Sequence, residues 1–507
     1  MNQHPVVIAG GGTVGLATAL FLGHHGVPAL VLERRPEPSN HPRALGISPR
    51  SLEFFREVGV RGGVDAVAVR STEMWRAEAR TAAEIDRPGP APKLPFPNTA
   101  SPETPHGHYP QDRLDSVLIP EARARGAAIE FGVEVTGVEQ DDDGVSVALS
   151  DGRVVRTDYL VGADGARSAV RRLLGISTTG PGEIGDTTVN ILFQADLVGH
   201  FGSMPTMTQI SHPDASGVLL AVGEQRWVLH VTSPDGENFS EERSAAAVRT
   251  AIGADVPVEI VSALTWRATA RMADEFRSGR AFLVGDAART ISPLGAFGLN
   301  SGLADAHNLA WKLALVLAGK AGDRLLDSYH EERHAVSELV TQQALLRWEN
   351  PRLHWDPAAV AERAAAGAWN APLVTMGYRY DSSAIIDPVV TPPSTEDLLA
   401  SFDGAPGSRL PHRWLDETTS TLDLNESRFA VFTGPDGEPW GEAAQRVAAS
   451  SGLELRTAQL DSEWARSVGL DDGGALLVRP DGFIAWRTDQ AADDAVLDKV
   501  LAAVTGR

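Results

Sequence analysis

Three glycines open the chemistry of this chain: Gly10, Gly12 and Gly15 stand at the spacing G-x-G-x-x-G, with Val14 inside the motif. The first permits a tight turn, the second lets backbone approach a pyrophosphate, and the third lets a helix pack on a strand. Glu33 follows about 20 residues on, where an acid accepts hydrogen bonds from an adenosine ribose and favours a free 2′-hydroxyl over a 2′-phosphate. FAD or NAD therefore suits this site better than NADP, and the motif does not choose between those two. Two aspartates sit in related settings. Asp286 follows the run 281–285, and a strand that ends in Gly-Asp carries its carboxylate to the edge where ligands collect in open α/β sheets. Standing alone, it would equally read as a cap for the next turn. Asp164-Gly165 precedes a helix over 168–172, for which Ser168 is a natural N-cap.

The elements that position these groups are legible. Residues 6–9 form a short β-branched run that stops at the glycines, 17–25 reads as a helix, and 29–32 is a second strand ending at Glu33. This order of strand, turn, helix, strand and acid leaves free N–H groups at a helix N-terminus for phosphates.

Composition narrows the class. The chain has 507 residues, a net charge of −22 and no cysteine. Its length predicts about three domains. The acidity argues against nucleic acid or a membrane surface as the main partner. Absence of cysteine removes disulfides, zinc-thiolate sites and the dithiol that a disulfide-reductase flavoenzyme needs. The uncharged stretch 6–23 carries Gly10, Gly11, Gly12 and Gly15 and lacks a basic flank, so it reads as a nucleotide loop and not a membrane span. A cytoplasmic enzyme without a metal is expected.

Two longer stretches are more specific. Gly162-Ala163-Asp164-Gly165 within 160–168, and Gly285-Asp286-Ala287-Ala288 within 280–288, resemble the DG and GD motifs of the class A flavoprotein aromatic hydroxylases, the para-hydroxybenzoate hydroxylase fold. The second runs on through Pro293, Gly295, Gly298, Leu299 and Asn300, and then 305–313, which resembles the flavin-cradling loop and helix of that family. The resemblance implies non-covalent FAD, with Asp286 at its ribityl-pyrophosphate part and the backbone at Gly295 and Gly298 close to the isoalloxazine. It also implies a helix from about Asn300 aiming its positive end at the ring, where it would stabilise an anionic reduced flavin. Asp164 and Gly165 would touch FAD and take part in NAD(P)H use. Arg43, within 42–47, and Gln111, within 109–114, resemble further flavin contacts, and Arg34 and Val135 complete the implied cofactor set. Arg289 stands where the family often has histidine, so no role of that histidine transfers.

Fold and domains follow from the resemblance: an α/β chain with a Rossmann-type FAD-binding domain in three parts (1–70, 107–178 and 271–393, the last with helices) and a sheet-rich substrate domain in two (71–106 and 179–270). A thioredoxin-like domain over 394–507 completes it. Strand-like runs at 188–193, 217–222 and 227–231 support the substrate sheet. Its expected pocket residues are Met204, Met207, Trp227, His230, Trp266 and Phe297, although a Met or aromatic in a sheet is more often core. The C-terminal order of strand, helix, strand, hairpin and helix from residue 427 resembles a thioredoxin-like unit, which without cysteine serves structure or dimerisation. The chain is expected to be a monomer or homodimer.

The implied activity is a monooxygenase. NAD(P)H reduces FAD, O₂ forms a C4a-hydroperoxide, and oxygen passes to an aromatic ring, most specifically that of a polycyclic polyketide in antibiotic biosynthesis. Hydroxylation of simple phenols or of an antibiotic to be inactivated fits the same motifs, as does a flavin oxidoreductase without oxygen insertion. His230, Arg226 and Gln209 all offer themselves as a base, and none is singled out.

Overall fold

The computed structural model describes residues 4–42, 44–70, 76–86, 99–233 and 236–507. Arg43 and most of the Pro-rich stretch 88–105 fall outside the described residues.

The β-branched run Val6–Ala9 becomes the central strand of a six-stranded sheet. In order, its neighbours are Arg277–Ser278, Ala281–Leu283, Tyr159–Gly162, Val6–Ala9, Ala29–Glu33 and Ala128–Phe131. All pair in parallel except the short edge strand Arg277–Ser278. Parallel strands covered on both faces are apolar throughout, and every residue of Val6–Ala9 and Ala29–Glu33 is buried. Helices Thr13–His24 and Phe297–Leu317 pack on this sheet and share one core with it. A small antiparallel sheet, Val135–Asp141, Gly144–Leu149 and Val154–Thr157, adjoins it.

A seven-stranded sheet forms the second layer. Its long strands Thr178–Gln194 and Glu259–Ala273 pair antiparallel, followed by Arg226–Ser233, Gly217–Ala221, Met207–Ile210 and Arg76–Ala79. One face packs against helix Glu241–Ile252 through Val189, Ile191, Phe193, Leu229 and Val231. The other face turns toward the first sheet, where Leu192, Val222 and Val228 meet Leu45.

The C-terminal sheet has the order Leu455–Gln459, Phe429–Thr433, Ala475–Val478, Ile484–Thr488, with its first pair parallel and the rest antiparallel. Helices Glu438–Ser451, Ser462–Ser467 and Asp494–Val504 complete the strand–helix–strand–helix–hairpin–helix order. A buried charge seam docks it. Glu332 accepts hydrogen bonds from Lys312 (2.8 Å), Asn308 (2.7 Å) and Arg479 (2.9 Å), and Arg479 also pairs with Asp481. Glu53 accepts from Arg50 (2.8 Å) and Arg409 (3.1 Å), and Arg50 reaches the Asp481 carbonyl (2.8 Å). None of these charged residues is more than 6% exposed, so each depends on its partners for solvation it has given up.

Candidate active site

Three neighbouring parallel strands end at one edge. Ala9 lies opposite Gly162, and Gly162 opposite Leu283, so the glycine loop, Asp164 and Asp286 emerge side by side. Gly10 has φ +109°, and a Cβ there would collide with the Ala163 carbonyl; a Cβ on Gly15 would collide with the Gly10 carbonyl. Gly12 instead faces open space. Helix Thr13–His24 starts at Gly12 without a side-chain cap, leaving its first N–H groups for an anion. Val14 packs between Gly285 and Gly302, joining the glycine loop to the Asp286 turn.

Glu33, 6% exposed, accepts hydrogen bonds from the Gly11 N–H (2.8 Å) and from the Arg35 N–H and Nε (3.0 Å each). Burial pushes its carboxyl up, but the Arg35 and Gly11 donors outweigh that and hold it below the usual range. Asp286 is exposed although Ala281 to Gly285 and Ala287 to Arg289 are all buried, so its carboxylate projects from the turn. Asp164 accepts from the N–H groups of Ala169 (2.6 Å) and Val170 (3.0 Å) and from Ser168, so it caps helix Ala169–Leu173 while Gly165 takes φ +82°. Arg171 of that helix donates to the Ala287 carbonyl (2.7 Å), binding the two aspartate motifs together.

The loop 291–298 closes the site. Gly295 has φ +98° and Ala296 φ +55°, a left-handed conformation that costs a non-glycine residue about 1 kcal/mol or more. Pro293 and Ala296 are exposed and Leu299 is buried. Helix Phe297–Leu317 again lacks a side-chain cap, so the N–H groups near Gly298 are available to a ligand. Asn300 holds the loop: its amide donates to the carbonyls of Ala296 (2.8 Å) and Gly46 (3.2 Å), and its oxygen accepts from the Ser48 N–H (2.8 Å) and Ser51 hydroxyl (2.7 Å). All hydrogen-bonding groups of the Asn300 side chain are thus engaged within the protein. Gln111 works similarly, accepting from the Ala44 N–H at 3.1 Å.

Other expected residues lie farther out. Arg34 is 62% exposed and 4.0 Å from Glu134, and Val135 is buried in the core of the first sheet. Trp227 is corrected: strand alternation puts it on the helix-packed face with Leu229 and Val231, its indole N–H bonded to the Ala195 carbonyl (3.0 Å). Met204 packs against that same core. Phe297 is 2% exposed and belongs to the packed cluster that includes Val336, Val340 and Val374. Met207, Gln209 and His230 do face the first sheet. Burial, helped by nearby His41, pushes the His230 imidazole down to about 4. Of the three candidate bases, Arg226 is tied to Asp112 (2.9 Å) and Gln209 to the Gly217 carbonyl (3.0 Å), while His230 is neutral and has no hydrogen-bond partner among the described residues.

Two features escaped the sequence reading. Asp305, fully buried, accepts from the Gly285 N–H (3.0 Å), Arg289 (2.5 Å) and Arg333 (2.8 Å), so it ties the Asp286 turn to the loop helix and gives Arg289 its place. Its signal was a polar stripe at helical spacing, Ser301, Asp305, Asn308 and Lys312, in a mostly apolar, buried helix. Asp115 accepts from the Thr13 hydroxyl (2.6 Å), and burial, with Asp112 and Glu33 adding, pushes it up to about 6.

The open space at Gly12, the uncapped helix starts, the braced Glu33 and the projecting Asp286 fit a flavin adenine dinucleotide laid along the strand edge. Fold and site together define a flavin-dependent oxidoreductase with a second sheet over its flavin region. Residues 3–344 match the FAD binding domain family, and residues 403–507 the family described as aromatic-ring hydroxylase, C-terminal. The chain belongs to the FAD-dependent aromatic-ring hydroxylases and is a monooxygenase. It is 38% identical to the tetracenomycin B2 monooxygenase-dioxygenase of Streptomyces olivaceus, covering 99% of each chain. To aklavinone 12-hydroxylase of Streptomyces purpurascens it is 37% identical over 100% of both. The crystal structure of aklavinone-11 hydroxylase with FAD and aklavinone superposes with a TM-score of 0.87 at 36% identity, over 100% of both chains.

Proposed function

We propose that this enzyme hydroxylates a polycyclic aromatic polyketide, using NAD(P)H as reductant and O₂ as oxidant. The observation that carries the reading is the sheet face opposite the flavin site, where the neutral His230, without a hydrogen-bond partner among the described residues, stands among Met207, Val218 and Leu220. Such a wall suits a flat apolar ring system with phenol or quinone oxygens. The named substrates of the full-length relatives, tetracenomycins and aklavinone, support it.

Gly10, Gly12, Glu33, Asp164 and Asp286 would hold the dinucleotide along the strand edge, and Gly295 and Gly298 would let backbone approach its ring. Bound FAD supplies hydride acceptance from the nicotinamide and activation of O₂. The protein's part is to bind, orient and exclude water. His230, neutral at working pH, would hydrogen-bond a substrate oxygen without placing a charge in the pocket. The uncapped N-terminus of helix Phe297–Leu317 would favour negative charge on the reduced ring. Exposed Arg167 and Arg172, beside Asp164, would meet the phosphates of the nicotinamide cofactor in a chain that is otherwise strongly acidic. No second glycine-rich fold is present in the sequence for that cofactor, in keeping with transient binding. In the three-part and two-part division proposed above, 394–507 would serve structure or dimerisation.

The test is NADPH and NADH oxidation by FAD-loaded protein over a panel of phenols and polycyclic polyketides, with ¹⁸O₂ incorporation followed by mass spectrometry. Label is expected in a polycyclic product. Flavin reduction without label in any product would count for an oxidoreductase that inserts no oxygen.

A further inference from the structure

One aromatic side chain on the inner sheet face stands outside the hydrophobic cores of the described residues. Trp266 lies on strand Glu259–Ala273 and belongs to none of the hydrophobic cores of the described residues. It is half-buried, and its neighbour Leu264, on the same face, is 40% exposed. A tryptophan left partly open usually keeps its freedom, yet here the indole N–H is fixed to the Asn190 side-chain oxygen at 2.8 Å. Asn190 is 7% exposed and lies opposite His230 in the adjoining strand. The ring is therefore locked in one orientation by a residue that is itself buried.

Its surroundings specify what the ring would meet. The cross-strand row Gln209, Val218, His230, Asn190, Leu264 runs over five strands, about 19 Å of sheet at the usual strand spacing. The adjoining row Met207, Leu220, Val228, Leu192, Ser262 carries the same face toward Leu45, whose neighbour Gly46 is fastened by Asn300 to the flavin loop. Ser262 is bonded to His41 at 2.7 Å, closing that side. The face mixes apolar residues with a few polar ones, is wider than one benzene ring and is continuous with the flavin site.

We infer that Trp266, held by Asn190, is a specificity-determining residue: it forms a fixed stacking platform for the rings of the substrate remote from the one that is hydroxylated, and so selects fused multi-ring aromatics over single rings. The inference rests on the proposed polyketide reading. Preorganisation by Asn190 matters because a pre-locked ring loses little rotamer freedom on binding, and an aromatic pair contributes beyond its buried area.

The experiment is a titration of oxidised, FAD-loaded enzyme, without reductant, following the visible flavin spectrum. The probes are phenol and 1,8-dihydroxyanthraquinone. Wild type should bind the anthraquinone more tightly. Trp266→Leu should weaken it about tenfold and change phenol less than twofold, Trp266→Phe should recover part of the loss, and Asn190→Ala should show an intermediate loss with an intact flavin spectrum. Equal anthraquinone affinity in wild type and Trp266→Leu would overturn the platform while leaving the polyketide reading in place. A wild type that binds anthraquinone no better than phenol would overturn both. Should Trp266→Leu fail to hold FAD, the Trp266→Phe and Asn190→Ala titrations decide by the same criterion.

Discussion

Two side chains show how differently residues of one site work. Asp286 is the exposed residue of an otherwise buried turn, and Asp286→Ala should purify with little flavin, as the ratio of 450 nm to 280 nm absorbance would show. Near-stoichiometric flavin in that variant would count against its role at the cofactor. Asn300 acts at one remove. Asn300→Ala would strip hydrogen bonds from Ser48, Gly46, Ser51 and Ala296 together, which should cost about 1–3 kcal/mol of stability for each buried group left unpaired. The measurable result is a lower thermal midpoint together with weaker FAD retention, whereas loss of retention alone would point to direct contact. Asp286 and the glycines were legible because their reasons are local: a φ, a close approach, a strand end. The work of Asn300 was not, because its partners at positions 46–51 are about 250 residues distant in the chain.

At the scale of elements, the sheet strands and their order carried most of the sequence reading, and strand phase is where it failed. Trp227 and His230 sit three apart in Arg226–Ser233 and so point to opposite faces. Choosing between those faces requires knowing that Val228 and Leu192 are in register toward Leu45, which a single strand does not reveal. The helix Phe297–Leu317 is held from behind by charge. In Glu332→Gln, Lys312 and Arg479 would keep two buried cations with less to balance them. The expected loss is about 3–5 kcal/mol, read as an earlier urea midpoint with slope unchanged. An unmoved midpoint would mean the seam contributes no net stability.

The whole molecule carries its titration largely in neutral histidines. Burial pushes His230, His354 and His412 each down to about 4. Their native values lie below the ordinary 6.5, so the unfolded chain takes up protons that the native chain refuses as pH falls. Stability is thus full above about 6.5 and declines toward about 4. Glu57 is held down to about 2: although burial raises it, His307 and Ser427 overcome that, so its contribution disappears below ordinary carboxylate values. Asp115, raised to about 6, runs the other way and is most favourable in acid. With His25, which burial pushes down to about 3, four histidines against one aspartate predict a lower thermal midpoint at pH 5 than at pH 7.5. An equal or higher midpoint at pH 5 would contradict this balance.

The seam of Arg50, Glu53, Lys312 and Glu332 against Arg409, Arg479 and Asp481 also limits how such a protein can be recombined. A C-terminal unit exchanged between relatives would arrive with half of a matched set of charges, and the host surface would present the other half to whatever replaced it. Chimeras that carry the seven residues together should yield soluble protein where chimeras cut between them do not, so the natural crossover points of this architecture lie around the seam and not at the boundary of the fold.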